Sequence, residues 1–236
     1  MLTVRRVAGS MLAVFALSAC SAGPSGPSGP SDSGITTKAP GDILTQVRAN
    51  STGQTSVHIR GKGSCPSGPF QVDMKLRSDD QATGVVVVNQ EELRVTADKG
   101  NVYVLATPSF WASEVSAAQA AKIGTHWVKI PRESNPCLSA LTKFSNVLAN
   151  YLNYPGDPKK GSGNAVFGVP AVMLMLPPDV AIWVQTHGPV LPVRVDEPTS
   201  QTAISLGEWG TPVTVTLPDQ TDTVNASVVA GATAVK

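Results

Sequence analysis

The middle of the chain alternates apolar and polar residues, a pattern typical of strands with one buried and one solvated face. The clearest case is residues 70–76, where every second residue is apolar. Similar patterns or short β-branched runs occupy residues 56–62, 84–88, 92–97 and 101–106. Asp98-Lys99-Gly100 between the last two is a hairpin signal. The pattern predicts five consecutive antiparallel strands.

Helical spacing replaces this alternation in three places. A short helix begins at Pro40-Gly41-Asp42, a second covers residues 108–121, and a third begins at Pro136 and has a broad apolar stripe through residues 138–152. A short strand at 125–130 separates the last two. Strands then resume at 165–167, 170–176, 180–186, 190–195, 202–206 and 212–217. This order predicts an α+β fold in which one large antiparallel sheet carries helices on one face.

The N-terminus has the features of an export signal. Arg5 and Arg6 precede an apolar run at residues 7–17, too short to span a bilayer as a helix. Leu17-Ser18-Ala19-Cys20 then matches a bacterial lipobox. We therefore expect residues 1–19 to be a lipoprotein signal peptide and Cys20 to carry the lipid. The protein would then be anchored to the cell membrane on its extracytoplasmic side. The alternative is an ordinary signal peptide that ends near a cysteine.

The segment after the lipobox predicts a tether. Gly-Pro-Ser occurs three times within residues 21–34, and such sequences are flexible or extended and bury nothing. We expect a lipidated cysteine and tether at 20–37, a folded domain at 38–220 and a disordered tail at 221–236.

Two cysteines remain if Cys20 is lipidated. Cys65 and Cys137 form an even pair in an exported and therefore oxidising setting. We expect a disulfide, worth about 4 kcal/mol in the chain-entropy model. The alternative is a pair of buried free thiols. Neither cysteine has a second metal ligand at the usual spacing.

Composition narrows the function classes. The net charge of +1 argues against a nucleic-acid partner, which would normally require a basic surplus. The three histidines are far apart in sequence, and no catalytic, phosphate-binding or metal-binding motif is present. The sequence therefore predicts a protein that is not an enzyme and needs neither cofactor nor metal.

Several motifs in the C-terminal third carry a family resemblance. They are Gly168-Val169-Pro170, Ala181-Ile182-Trp183-Val184, Leu191-Pro192-Val193-Arg194-Val195, Trp209-Gly210-Thr211-Pro212-Val213 and Leu217-Pro218. With the lipobox, the tether and the long meander, they make the chain resemble the LppX/LprAFG type of actinobacterial lipoprotein. That type is related in fold to the LolA/LolB lipoprotein carriers.

The resemblance implies a half-barrel whose concave face is roofed by helices and encloses an apolar cavity for acyl chains. The expected cavity walls are Phe70, Val72, Met74, Leu76, Leu93, Val95, Val172, Leu174, Leu176, Ile182 and Val184. The expected roof is Leu141, Phe144 and Leu148. The alternative for each of these side chains is ordinary core packing.

Two functions follow from the resemblance. The first is a membrane-anchored carrier or chaperone that binds a lipid, glycolipid or lipidated molecule. The second is a regulatory envelope module of the same fold that senses a lipid or peptide ligand, with an envelope protein as its partner. An enzyme or a purely structural lipoprotein is the remaining alternative.

Overall fold

The structure is a computed structural model that describes residues 30–66 and 68–226. The predicted signal peptide, the lipidation site Cys20 and most of the Gly-Pro-Ser tether lie outside the described residues. Residues from Ser31 onward form one compact body.

A single large sheet dominates this body. Its strands are β1 (Ser56–Cys65), β2 (Gly68–Arg77), β3 (Ala82–Val88), β4 (Glu91–Ala97), β5 (Asn101–Leu105), β6 (Trp127–Pro131), β7 (Lys159–Lys160), β8 (Ala165–Val166), β9 (Val169–Leu176), β10 (Val180–Gln185), β11 (Pro192–Glu197), β12 (Thr202–Gly207) and β13 (Thr223–Asn225). Their order across the sheet is β13-β6-β5-β4-β3-β2-β1-β12-β11-β10-β9-β7, and β8 pairs with β9. The pairs are antiparallel except β13 with β6, which is parallel.

Five helices accompany the sheet in the part of the chain that the structure describes. They are α1 (Pro40–Thr52), α2 (Pro108–Glu114), α3 (Ala117–Ile123), α4 (Pro136–Thr142) and α5 (Phe144–Leu152). The curled sheet and its helices form an α+β half-barrel, so the predicted fold class and the predicted meander β1–β5 are confirmed. The alternation of apolar and polar residues decides which side of each strand is buried, because successive side chains point to opposite faces of the sheet. The apolar sides of the strands join the helices in one core.

Two predicted helices are each divided in two. The segment 108–121 breaks at Val115, whose backbone is extended, and restarts at Ser116 with a reciprocal capping box to Gln119. The segment 136–152 breaks at Lys143, which is also extended. Apolar spacing did not reveal either break, because the stripe continues across it.

The predicted domain boundaries need correction at both ends. The folded body begins before residue 38: Ile35 is fully buried and the Ser33 amide donates to the Thr186 carbonyl at 2.8 Å. At the other end, residues 223–225 form β13 rather than part of a disordered tail. The predicted strand at 212–217 is not formed. Their polar composition did not indicate that these end segments belong to the folded body, although their backbone groups form hydrogen bonds with it.

Candidate functional site

The fourteen residues predicted to line a cavity all lie on the helix-covered face and are all buried. Strands β2, β4, β9 and β10 supply eleven of them, and α4 and α5 supply three. The register sets neighbours side by side: Ile182 lies opposite Leu174, and Val184 lies opposite Val172. The structure therefore brings the whole predicted set into one apolar layer.

The roof over this layer consists mainly of two short helices. Helix α4 contacts β2 and β5, and α5 packs between α4 and α1. Helix α5 buries Phe144, Val147 and Leu148 along one stripe, as expected for an amphipathic helix on a sheet. Arg48 of α1 donates from Nε to the Leu152 carbonyl at 2.8 Å and so holds the end of α5.

Little space remains between roof and sheet. An enclosed void there measures only about 10 Å³ and is lined by Gly68, Pro69, Phe70, Val86, Val88, Leu93, Val104, Asn135, Cys137 and Leu138. A void of this size holds one water molecule at most. Of the predicted cavity residues, Phe70 and Leu93 border it. In this state the apolar layer is filled by its own side chains, and a ligand-binding role for the fourteen residues stays a prediction.

The void adjoins the disulfide. Cys65 and Cys137 are bonded, with their Cα atoms 5.9 Å apart, so the predicted disulfide is confirmed. The bond joins the end of β1 to the first turn of α4. Asn135 caps the same turn, since its Oδ1 accepts from the Leu138 amide at 3.0 Å. The N-terminal end of the roof is therefore fixed to the sheet by one covalent bond.

The opposite, outer face of the sheet carries an ion cluster that sequence reasoning missed. His58 is 4% exposed, and its Nε2 lies 2.5 Å from Asp73 Oδ1 while its Nδ1 lies 2.8 Å from Glu208 Oε1. Arg60 reaches Asp73 at 3.1 Å and Lys75 reaches Glu208 at 3.1 Å. The alternation of β1 and β2 places these residues on one face, but only the strand register brings them together.

The cluster explains two lowered pKa values. Burial would raise the pKa of Asp73, but the hydrogen bond and charge of His58, with Arg60, hold it below its ordinary value. Hydrogen bonds from His58 and Lys75 lower the pKa of Glu208. Both imidazole nitrogens face carboxylate oxygens of other elements. We interpret the cluster as a structural tie between β1, β2 and the turn after β12.

The larger depressions in the surface also lie on this outer face. One is an open groove of about 600 Å³ across β3, β2, β1, β12 and β11, with Lys62, Asp73 and Arg194 among its lining residues. Its lining mixes these charged residues with Val85 and Val87, and the groove is open to solvent. It is therefore unlike the apolar layer under the helices.

Two other kinds of feature are absent from the residues that the structure describes. No helix there is both long and apolar enough to cross a membrane. Within the same residues, no group of His, Cys, Asp and Glu side chains is arranged to hold a metal ion.

Comparison with solved structures identifies the fold. LprF from Mycobacterium bovis matches with a TM-score of 0.55 and 16% identity, over 81% of this chain and 99% of that one. The chain has the fold of LprF. The predicted resemblance to LppX/LprAFG-type lipoproteins is therefore confirmed at the level of the fold, which is all that an LprF likeness at this identity shows. No protein-family model and no curated protein matches the sequence.

Two more distant structures also align. An uncharacterised conserved protein from Thermus thermophilus has a TM-score of 0.37 and 9% identity, over 78% of this chain and 98% of that one. The MucA/MucB complex of Pseudomonas aeruginosa has a TM-score of 0.31 and 14% identity, over 77% and 59%. At these TM-scores the likeness carries no argument about function.

Proposed function

We propose that this protein is an envelope lipoprotein that binds the acyl chains of a lipid or lipidated molecule between its sheet and its roof helices. The observation that carries the proposal is the continuous apolar layer on the helix-covered face of an LprF-like half-barrel. Fourteen side chains from four strands and two helices meet there without a charged group among them. Such a surface matches an acyl chain, which gains about 0.8 kcal/mol for each methylene removed from water.

Ligand binding requires the roof to move, because the space under it is closed. Helices α4 and α5 have seven and nine residues and meet at Lys143, which has an extended backbone. Short helices of this kind depend on packing for their stability. An acyl chain that enters below them replaces contacts of Leu141, Phe144 and Leu148 with equivalent apolar contacts. The apolar contacts of the ligand thereby offset the free energy needed to move the roof helices away from the sheet.

Lipid content of the purified protein tests the proposal. We expect mass spectrometry of organic extracts to find acyl lipids, in addition to the lipid anchor, in a fixed ratio to protein. A fluorescent fatty acid added to delipidated protein should also bind with blue-shifted emission. Extracts without acyl lipid, together with no binding of the fluorescent fatty acid, would overturn the proposal.

Two matched substitutions locate the ligand. Val72 faces the apolar layer, whereas Val87 of the neighbouring strand faces outward. Val72→Trp adds bulk to a filled space, so we expect it to reduce lipid loading and to destabilise the unliganded fold by about 1–3 kcal/mol. Val87→Trp should leave both lipid loading and stability nearly unchanged. Equal loading in the two variants would place the ligand elsewhere.

A further inference from the structure

The turn between β8 and β9 exposes a large apolar side chain. Phe167 is 73% exposed, and Val169 beside it is 39% exposed. Residues 161–178 contain no charged side chain. The guanidinium of Arg194 lies 5.0 Å from the centre of the Phe167 ring, and Phe167 borders a depression of about 310 Å³ that His58 and Glu208 also line. The hairpin therefore ends in an uncharged apolar tip.

The backbone at this tip is unfavourable for phenylalanine. Phe167 has φ +49° and Gly168 has φ +77°. Asn and Gly adopt this left-handed region readily, but a bulky residue there is an outlier. Asparagine at position 167 would fit the same turn better. A phenylalanine that is both strained and exposed points to a function of the side chain outside the fold.

The N-terminal segment enters the body at the same end of the sheet. The Gly188 amide donates to the Ser31 carbonyl at 2.9 Å, and the Ser33 amide donates to the Thr186 carbonyl at 2.8 Å. Thr186 in turn donates to the Pro170 carbonyl at 2.9 Å. These backbone hydrogen bonds connect the segment at Ser31, through residues 186–188, to the base of the Phe167 hairpin.

The predicted lipid anchor is close to this point along the chain. Cys20 precedes Ser31 by eleven residues, which reach roughly 40 Å at most when fully extended. A lipid at Cys20 would therefore limit the distance of this end of the sheet from the bilayer surface to roughly 40 Å. We propose that the β8–β9 hairpin is a membrane-contact element whose Phe167 side chain inserts into the lipid interface and directs that end of the sheet towards the membrane.

Site-specific fluorescence on the lipid-anchored full-length protein tests this orientation. A fluorophore is attached at His187→Cys, in the turn next to the hairpin, or at Asp179→Cys, in vesicles of phosphatidylcholine that include a spin-labelled lipid. Asp179 is the matched control because it is exposed and lies at the other end of β9. We expect strong quenching by the lipid at position 187, where Phe167 is retained, and little at position 179. Equal quenching at the two positions would overturn the proposal.

A second pair of variants isolates the phenylalanine itself. Here the fluorophore is attached at His187→Cys, an exposed position in the turn next to the hairpin. Adding Phe167→Asn should lower the membrane-contacting population roughly tenfold, since burying a phenylalanine is worth at least about 1.4 kcal/mol. The control Leu217→Asn removes another exposed apolar side chain and should leave the quenching unchanged.

Thermal unfolding separates this effect from misfolding. Phe167→Asn should keep or raise the Tm, because asparagine tolerates the left-handed backbone. Quenching at His187→Cys that persists in the Phe167→Asn variant would overturn the role of Phe167. The outcome does not depend on lipid bound under the roof, so it can fail while the proposed function holds.

Discussion

At the scale of single residues, the most unusual environment is that of His58. Its ring is buried on the outer face of the sheet, and each nitrogen meets a carboxylate from a different part of the chain. The two carboxylates remain partly exposed, at 57% for Asp73 and 41% for Glu208. Solvent screens such pairs, so the buried imidazole with its two hydrogen bonds accounts for most of the cluster's contribution to stability.

This arrangement predicts acid sensitivity. Folding lowers the pKa of Asp73 and Glu208, so their contribution to stability is complete above the ordinary carboxylate range near about 4. It is lost as the pH falls through the lowered values, because the unfolded chain then binds more protons. Denaturant unfolding between about pH 3 and 7 should show this decline, and Asp73→Asn with Glu208→Gln should flatten it.

The histidine itself has a matched control. His58→Gln should lower the free energy of unfolding by about 1.5–3 kcal/mol at neutral pH, because it disturbs hydrogen bonds to charged groups at a buried site. His126 also faces a carboxylate, Asp222, at 3.0 Å, but both are about half exposed. His126→Gln should therefore change stability little. Equal losses in the two variants would contradict our interpretation of the cluster.

At the scale of elements, the two roof helices differ in their local support. Helix α4 has a cap from Asn135 and the disulfide at its start, whereas Lys143 offers no side-chain cap to α5. The covalent bond to β1 closes a sequence separation of 72 residues. We infer that the disulfide keeps α4 on the sheet while the α4–α5 junction supplies the movement that ligand uptake needs.

Removal of the disulfide should loosen this roof. In the Cys65→Ser/Cys137→Ser protein we expect the free energy of unfolding to fall by about 2–5 kcal/mol. Uptake of a fluorescent fatty acid should become faster, because α4 opens more easily. Urea unfolding and stopped-flow fluorescence measure the two effects, with the wild type without reductant as the reference. Unchanged stability and uptake rate would mean that the bond does not restrain the roof.

At the scale of the whole molecule, one sheet links the N-terminal segment, the apolar layer and the Phe167 hairpin. Residues 31–33 form hydrogen bonds with the chain just after β10. Ile35, which precedes α1, is then fully buried in the core. A lipid at the predicted site Cys20 would therefore be connected to the body through a segment that is hydrogen-bonded to the sheet.

The anchor itself gives a prediction at this scale. Cys20→Ala should release the protein from the membrane fraction or leave it as an uncleaved precursor, because the lipid-bearing thiol is absent. Cell fractionation and intact-mass measurement detect either result, and Cys65→Ser, which leaves Cys20 in place, should remain in the membrane fraction. Normal processing and membrane retention of the Cys20→Ala protein would contradict lipidation at this residue.

Some of these features follow from local sequence. The meander β1–β5, the start of α1 at Pro40 and the apolar stripe of 138–152 depend on periodicity within a few residues, which sequence displays directly. The Cys65–Cys137 bond followed from cysteine parity in an exported chain. The apolar/polar alternation also predicted which side chains are buried, because it determines the face of the strand on which each one lies.

Other features depended on partners distant in sequence. The His58 cluster needs the register of β1 with β2 and a turn at Glu208, 150 residues away. Ile35 and β13 lie in polar stretches and are ordered only because the sheet offers hydrogen bonds and a core position. The size of the space under α4 and α5 also depends on tertiary packing. Periodicity determines that Val72 and Phe144 face inward, whereas the volume left between them depends on how closely the roof packs against the sheet.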